Sequence, residues 1–206
     1  MNVEVAYIVN SVFTSRTYYL YLPGSPDVWL VDCGDVDVLV HKLEHLLKVG
    51  FEVKGVLLTH AHYDHIYGLP RLKALFPDVK VYTNEMGRKM LGSEKLNMSK
   101  YHEDPITFET ENVEICNEGD EIVLYEGINA KVYFTPGHNP SCLTFEVGGF
   151  LFTGDAYIPG VKVVTHLPGS NKQLAMQSLE KIIELAKGKV VYSGHEVMAE
   201  TNIHLS

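Results

Sequence analysis

The apolar positions fall into short runs separated by glycine, proline, asparagine and aspartate. VEVAYIVN and RTYYLYL are rich in β-branched and aromatic residues and predict two strands. DVWLVDCG predicts a short buried strand ending at Asp32 and Gly34. In DVDVLVHKLEHLLKVG the period changes. Leu39, Leu43, Leu46 and Leu47 recur at helical spacing, acidic residues open the stretch and Gly50 closes it. VKGVLL predicts another buried strand, and LPRLKALFP a helix with Pro70 in its first turn. Residues 84–106 predict a helix from Glu85 to Leu91 followed by an irregular segment. Strands then follow at NVEIC, EIVLY, AKVYFTP, CLTFEV and FLFTGD, the last two joined through Gly148-Gly149. NKQLAMQSLEKIIELAKG predicts a helix stopped by Gly188, and KVVYSGHE a final strand. No linker, fixed-period repeat or low-complexity tract interrupts the chain, so residues 1–206 are expected to form one α/β domain.

One stretch between a strand and a helix stands apart. THAHYDH places His60, His62, Asp64 and His65 within six residues. With 10 histidines and 9 aspartates in 206 residues, H-x-H-x-D-H arises by chance in roughly one such chain in a thousand. It sits at the carboxyl end of a predicted strand, where layered α/β folds place ligands. Three further candidate ligands share that setting, each after an apolar run and beside a glycine: His138 in FTPGHNPS, Asp155 in FLFTGDAY and His195 in KVVYSGHE. Imidazole nitrogens suit zinc and iron, and three neutral histidines leave the charge of a cation largely uncompensated. Water on such a cation has its pKa lowered to about 7.

Composition narrows the function. Hydrophobic residues make up 46% of the chain, enough for a sizeable core, and the net charge is −9. There are only three arginines, Arg16, Arg71 and Arg88. A nucleic-acid partner calls for a basic face, so none is expected. Cys33, Cys116 and Cys142 form no C-x-x-C pair. The N-terminus lacks a basic stretch ahead of an apolar run, and no apolar run reaches the roughly 18 residues of a membrane span. These features predict a cytoplasmic protein with no membrane partner.

The motifs LVDCGD, THAHYDH, TPGH, FTGDA and SGHE, in this order over nearly the whole chain, resemble the metallo-β-lactamase-fold hydrolases. The resemblance implies a four-layer αββα sandwich with a metal site on one edge. It implies that His60, His62 and His138 hold a first metal, that Asp64, His65 and His195 hold a second, and that Asp155 bridges both. Asp32 would support the ligand loop from behind. Two Zn²⁺ per chain are expected, with iron or manganese as the other candidates. The implied reaction is hydrolysis of an ester, thioester or lactone in a small-molecule substrate. Alternatives are β-lactam hydrolysis and the chemistry of a mononuclear iron persulfide dioxygenase.

Within the family, FTGDA and LPGS are similar to glyoxalase II. However, Ser141-Cys142 stands where those enzymes carry Gly-His, no arginine follows Arg88, and the sequence runs only 11 residues past His195. Asp155 argues against a true metallo-β-lactamase. Tyr157 and His166 are candidate substrate-side residues, the first for hydrogen-bonding a carbonyl or oxyanion and the second for its loop position. Tyr63 reads more simply as packing. His41, His45, His102 and His204 read as surface, and Met86, Met90 and Met98 as core more readily than as a lid over an apolar substrate.

Overall fold

The computed structural model describes residues 3–48 and 50–195. Among them, eleven strands form two sheets. The first contains β1 (Glu4–Val9), β2 (Arg16–Tyr21), β3 (Asp27–Val31), β4 (Glu52–Leu57), β5 (Lys80–Thr83) and β6 (Val113–Ile115), in that order. Its first three strands pair antiparallel and the rest parallel. The second runs in the order β11 (Val190–Ser193), β10 (Phe150–Gly154), β9 (Leu143–Val147), β8 (Ile128–Phe134) and β7 (Glu121–Tyr125). Only β10 and β11 pair parallel there.

Three apolar clusters define the layers. Tyr18, Leu20, Trp29, Val31 and Leu57 of the first sheet meet Val132, Leu143, Phe145 and Phe152 of the second. Sheet lies on sheet, and the Trp29 indole N–H donates to the Leu124 carbonyl across the interface at 2.9 Å. The other face of the first sheet packs against helices α1 (Val36–Leu47), α2 (Tyr63–Ile66), α3 (Leu69–Leu75) and α4 (Glu85–Leu91). α1 turns Val36, Leu39 and Leu43 inward at helical spacing. The outer face of the second sheet packs Leu151 and Cys142 against Ile182 of α5 (Lys172–Leu185). Both α4 and α5 start on an asparagine whose side chain accepts a backbone N–H, Asn84 from Gly87 and Asn171 from Leu174. The result is the expected αββα sandwich. No helix among the described residues is long and apolar enough to cross a membrane.

β5 and α2 are two elements that the apolar pattern did not predict. The methionines separate: Met90 is core, Met86 is exposed, and Met98 lines a cavity described below. His41 and His45 lie exposed on α1, and His204 lies outside the described residues.

Candidate metal centre

Both sheets deliver polar side chains to one edge. β4 ends at Leu57, and the chain then runs through His60 and His62 into α2, which carries Asp64 and His65. The second sheet contributes His138 after β8, Asp155 immediately after β10, and His195 two residues beyond β11. Three groups of donor atoms lie within 4.8 Å of one another: His60, His62 and His138; Asp64, His65 and His195; and His60, His65 and Asp155. All seven candidate ligands read from the sequence therefore meet, with Asp155 between the two histidine groups.

Backbone geometry allows this convergence. Asp32 has φ +59°, a left-handed conformation at the end of β3. Such a conformation persists only where surrounding structure enforces it. Its buried carboxylate accepts the Thr59 amide (2.8 Å), the Thr59 hydroxyl (2.7 Å) and the Nδ1–H of His65 (2.8 Å). This binds the loop ahead of the histidines to the end of β3. Gly194 sits where a Cβ would come within 2.2 Å of Asp155 Oδ1 and 2.9 Å of the His65 ring. Gly194→Ala is therefore expected to displace Asp155 and reduce metal content, at a stability cost of about 1–3 kcal/mol from overpacking. Elemental analysis beside thermal melts checks this; unchanged metal content would contradict it.

Acceptor-only partners fix the imidazole tautomers. His65 Nδ1 faces a carboxylate, His138 Nδ1 the Val164 carbonyl at 3.0 Å, and His195 Nδ1 the Phe13 carbonyl at 2.9 Å. Each Nδ1 must donate, so each Nε2 turns inward. His138 Nε2 lies 3.1 Å from His62 Nδ1, and His65 Nε2 lies 3.3 Å from His195 Nε2. His195 Nε2 also lies 3.2 Å from both Asp64 Oδ2 and Asp155 Oδ2. His60 Nε2 and Asp155 Oδ1 are buried without a hydrogen-bond partner. Buried orphans of this kind are costly, and a divalent cation would satisfy both. The imidazole and carboxylate donor set suits zinc, iron or manganese.

The two halves differ electrostatically. Burial, followed by the neighbouring imidazoles, pushes His60 well below its ordinary value. Burial and His138 bring His62 to about 4. Burial also opposes charge on His65, but Asp64, Asp32 and Asp155 outweigh it and raise this residue to about 9. Against the same opposition, hydrogen bonds to Asp155 and Asp64 raise His195 to about 11. Burial alone would raise both carboxylates, yet His65 and His195 hold Asp155 and Asp64 below the usual range. His60 and His62 thus favour the neutral form, whereas the Asp64–His65–His195 half is charge-paired.

The remaining sequence candidates lie elsewhere. Tyr157 packs beneath α5 with Leu185 and Ala186, not on the wall of the cavity beside the cluster. His166 is exposed, between Val164 and Leu167, which do line the cavity. The surface reading of His102 is wrong: its ring stacks on Tyr63 at 4.1 Å and lines the cavity. The sequence reading also passed over Asn139. Its Nδ2 lies 2.7 Å from His62 Nε2, while its Oδ1 accepts the Ser141 amide and hydroxyl. Ser141 in turn accepts the Ala61 amide at 3.0 Å. Adjacency to His138 was the only available signal for Asn139.

Comparison with known proteins agrees with this architecture. The family model of the metallo-β-lactamase superfamily matches residues 18–195. The chain is 30% identical over 159 residues to the probable metallo-hydrolase YqgX of Bacillus subtilis (strain 168), covering 75% of this chain and 74% of that protein. It is 27% identical over 183 residues to a hydroxyacylglutathione hydrolase of Synechococcus sp. (strain JA-2-3B'a(2-13)), covering 88% of this chain but only 64% of that enzyme. Among solved structures it is similar to the BLEG-1 B3 metallo-beta-lactamase, with a TM-score of 0.84 and 25% identity over 95% of this chain and 93% of that one. The chain belongs to the metallo-β-lactamase superfamily.

Proposed function

We propose that this chain is a divalent-metal-dependent hydrolase that cleaves an ester, thioester or lactone in a small molecule. The observation that carries this reading is the pair of donor triads meeting at Asp155, whose Oδ1 is buried without a hydrogen-bond partner. In this reading His60, His62 and His138 hold one ion, Asp64, His65 and His195 hold a second, and Asp155 lies between them. Two zinc ions per chain fit best, and iron or manganese suits the same donors. When bound, the ions supply activated water at neutral pH and a Lewis acid for the substrate oxygen.

The chain's own residues do the rest. Asp32, Val164 and Phe13 keep three Nε2 lone pairs aimed inward. Asp64 and Asp155 offset the cationic charge, and the Asp64 carboxylate would orient the attacking water by accepting a hydrogen bond from it. This reading assigns no role to Tyr157 or His166, neither of which lines the cavity beside the cluster. We also infer that residues 1–206 act as one cytoplasmic domain without a nucleic-acid or membrane partner. The net charge of −9 and three buried free cysteines support this.

The test is metal analysis combined with a panel of thioesters, esters, lactones and β-lactams. Two ions per chain and turnover of a thioester, ester or lactone are expected. A single iron per chain, or two ions with no turnover of these classes, would overturn the reading.

Acidification is expected to release one ion before the other. Without metal, His65 and His195 keep their protons up to about 9 and about 11. Below those values a cation must displace protons from them, so affinity there falls as pH drops. His62 stays neutral down to about 4 and His60 is also held well below its ordinary value, so these two ligands face little proton competition. Metal content should fall from two ions to one between roughly pH 8 and pH 5. Simultaneous loss of both ions during equilibrium dialysis would contradict this.

A further inference from the structure

We propose that the cavity beside the donor cluster binds an uncharged, apolar acyl arm of the substrate, and that Phe13, Tyr101 and the Tyr63–His102 stack set the length it accepts. The proposal rests on the hydrolase reading above and names its substrate class.

The cavity has a volume of about 390 Å³, within the range of small-molecule sites. Its floor is formed by His62, Asp64, His138, Asp155 and His195. Its walls are formed by Phe13, Tyr63, Met98, Tyr101, Val164 and Leu167, with His102 stacked on Tyr63. No lysine or arginine lines it among the described residues. An anionic carrier such as a glutathione thioester would therefore find no lysine or arginine on the wall to pair with its carboxylates. Lys162 lines a separate crevice on the far side of His138 and Asp155, with only about 30 Å³ of space, room for about one or two waters. Lys100 is exposed, its ammonium 4.7 Å from the Tyr101 ring centre.

Two features show that the aromatic rim is built for a ligand. Phe13 and Tyr101 are each 65% exposed at the same opening, and large apolar surface grouped at a cavity mouth marks binding. Phe13 and Thr14 are also consecutive non-glycine residues in the left-handed region, with φ +52° and +54°. Strain of this kind must be sustained by its surroundings. The turn is secured by the metal site itself: the Phe13 carbonyl accepts from His195 Nδ1, and the Arg16 amide donates to the Gly194 carbonyl at 2.8 Å. The same turn therefore orients His195 and delivers an aromatic ring to the rim, where it meets His102 at 5.6 Å.

The test uses matched neutral and anionic probes on zinc-loaded protein. Hydrolysis is compared for acetyl and hexanoyl thioesters of N-acetylcysteamine and for hexanoylglutathione. Calorimetry compares S-methyl- and S-hexyl-N-acetylcysteamine with S-hexylglutathione, none of which is cleaved. Hexanoyl should exceed acetyl in kcat/KM, and hexyl should bind tighter than methyl, by roughly tenfold or more. Both neutral hexyl probes should surpass their glutathione counterparts. Phe13→Ala should reduce the chain-length ratio roughly fivefold; Tyr101→Ala, at an exposed position, provides the same readout if the first variant fails to fold. Equal binding of methyl and hexyl probes, or tighter binding of the glutathione analogue, overturns the proposal. Chain-length-dependent binding without any thioester cleavage upholds it while overturning the thioester reading.

Discussion

Asp64→Ala is expected to remove nearly all turnover while leaving the fold in place. Asp64 belongs to none of the three apolar clusters. Its backbone carbonyl accepts the Ser15 hydroxyl at 2.7 Å, a contact that alanine preserves. Its carboxylate lies 3.4 Å from His65 Nε2 and 3.2 Å from His195 Nε2. The loss therefore falls on the charge-paired half of the site. Supporting groups that only touch ligands cost about 10–100-fold when removed, so a ligand itself should cost at least about a hundredfold in kcat/KM. In the metal-free variant His65 and His195 lose one of the partners that raise them. A raised histidine stabilises the fold fully below its unfolded value near 6.5. This contribution fades as pH rises through about 9 and about 11. The variant's deficit in Tm should thus be greatest at pH 5–6 and disappear in alkali. Near-full turnover in Asp64→Ala would make Asp64 a structural residue.

Asp32→Asn should separate positioning from stability. Asparagine tolerates the left-handed backbone at this position and fills nearly the same volume. The Thr59 amide can only donate, so the asparagine oxygen must face it and the NH₂ must take the place of Oδ2. That NH₂ then donates toward His65 Nδ1, where the carboxylate had accepted. His65 is left with its proton on Nε2, the atom that faces the site. Affinity for the ion at the Asp64–His65–His195 half should fall about 10–100-fold, with a correspondingly large loss of activity. Asp32→Ala instead leaves the buried Thr59 amide and His65 Nδ1 without their carboxylate and should cost about 3–5 kcal/mol of stability. Metal titration and denaturant unfolding of both variants distinguish these effects. Equal metal affinity in wild type and Asp32→Asn would show that His65 is not oriented in this way.

The site was legible in sequence because its donors occur at abrupt ends of apolar runs. THAHYDH follows VKGVLL, and Asp155 and His195 each follow a β-rich run and a glycine. The strand ends and the dense histidine run carried the signal together. β5 was illegible because Lys80–Thr83 is four residues long and α4 begins almost at once. α2 was hidden because its four residues, YDHI, carry ligands instead of an apolar stripe. The cavity wall was hidden for another reason. Phe13, Met98, Tyr101 and His102 come from a strained turn and a short 3₁₀ segment, and no periodicity joins residues so far apart. Tyr157 shows the reverse case: its nearness to Asp155 in sequence suggested the site, whereas the turn after β10 packs it against the cluster beneath α5.

The division of donors between the two sheets bears on how the protein is made. During synthesis the chain presents His60, His62, Asp64 and His65 well before Asp155 and His195 exist. A cation meeting the nascent chain finds four donors but neither the shared carboxylate nor the last histidine. Asp155 and His195 follow the adjacent parallel strands β10 and β11, so they take up their positions only when the second sheet closes on the first. Under the two-ion reading, an ion acquired early would be held by an incomplete set and could still exchange, so the choice of metal would be made only in the finished sandwich.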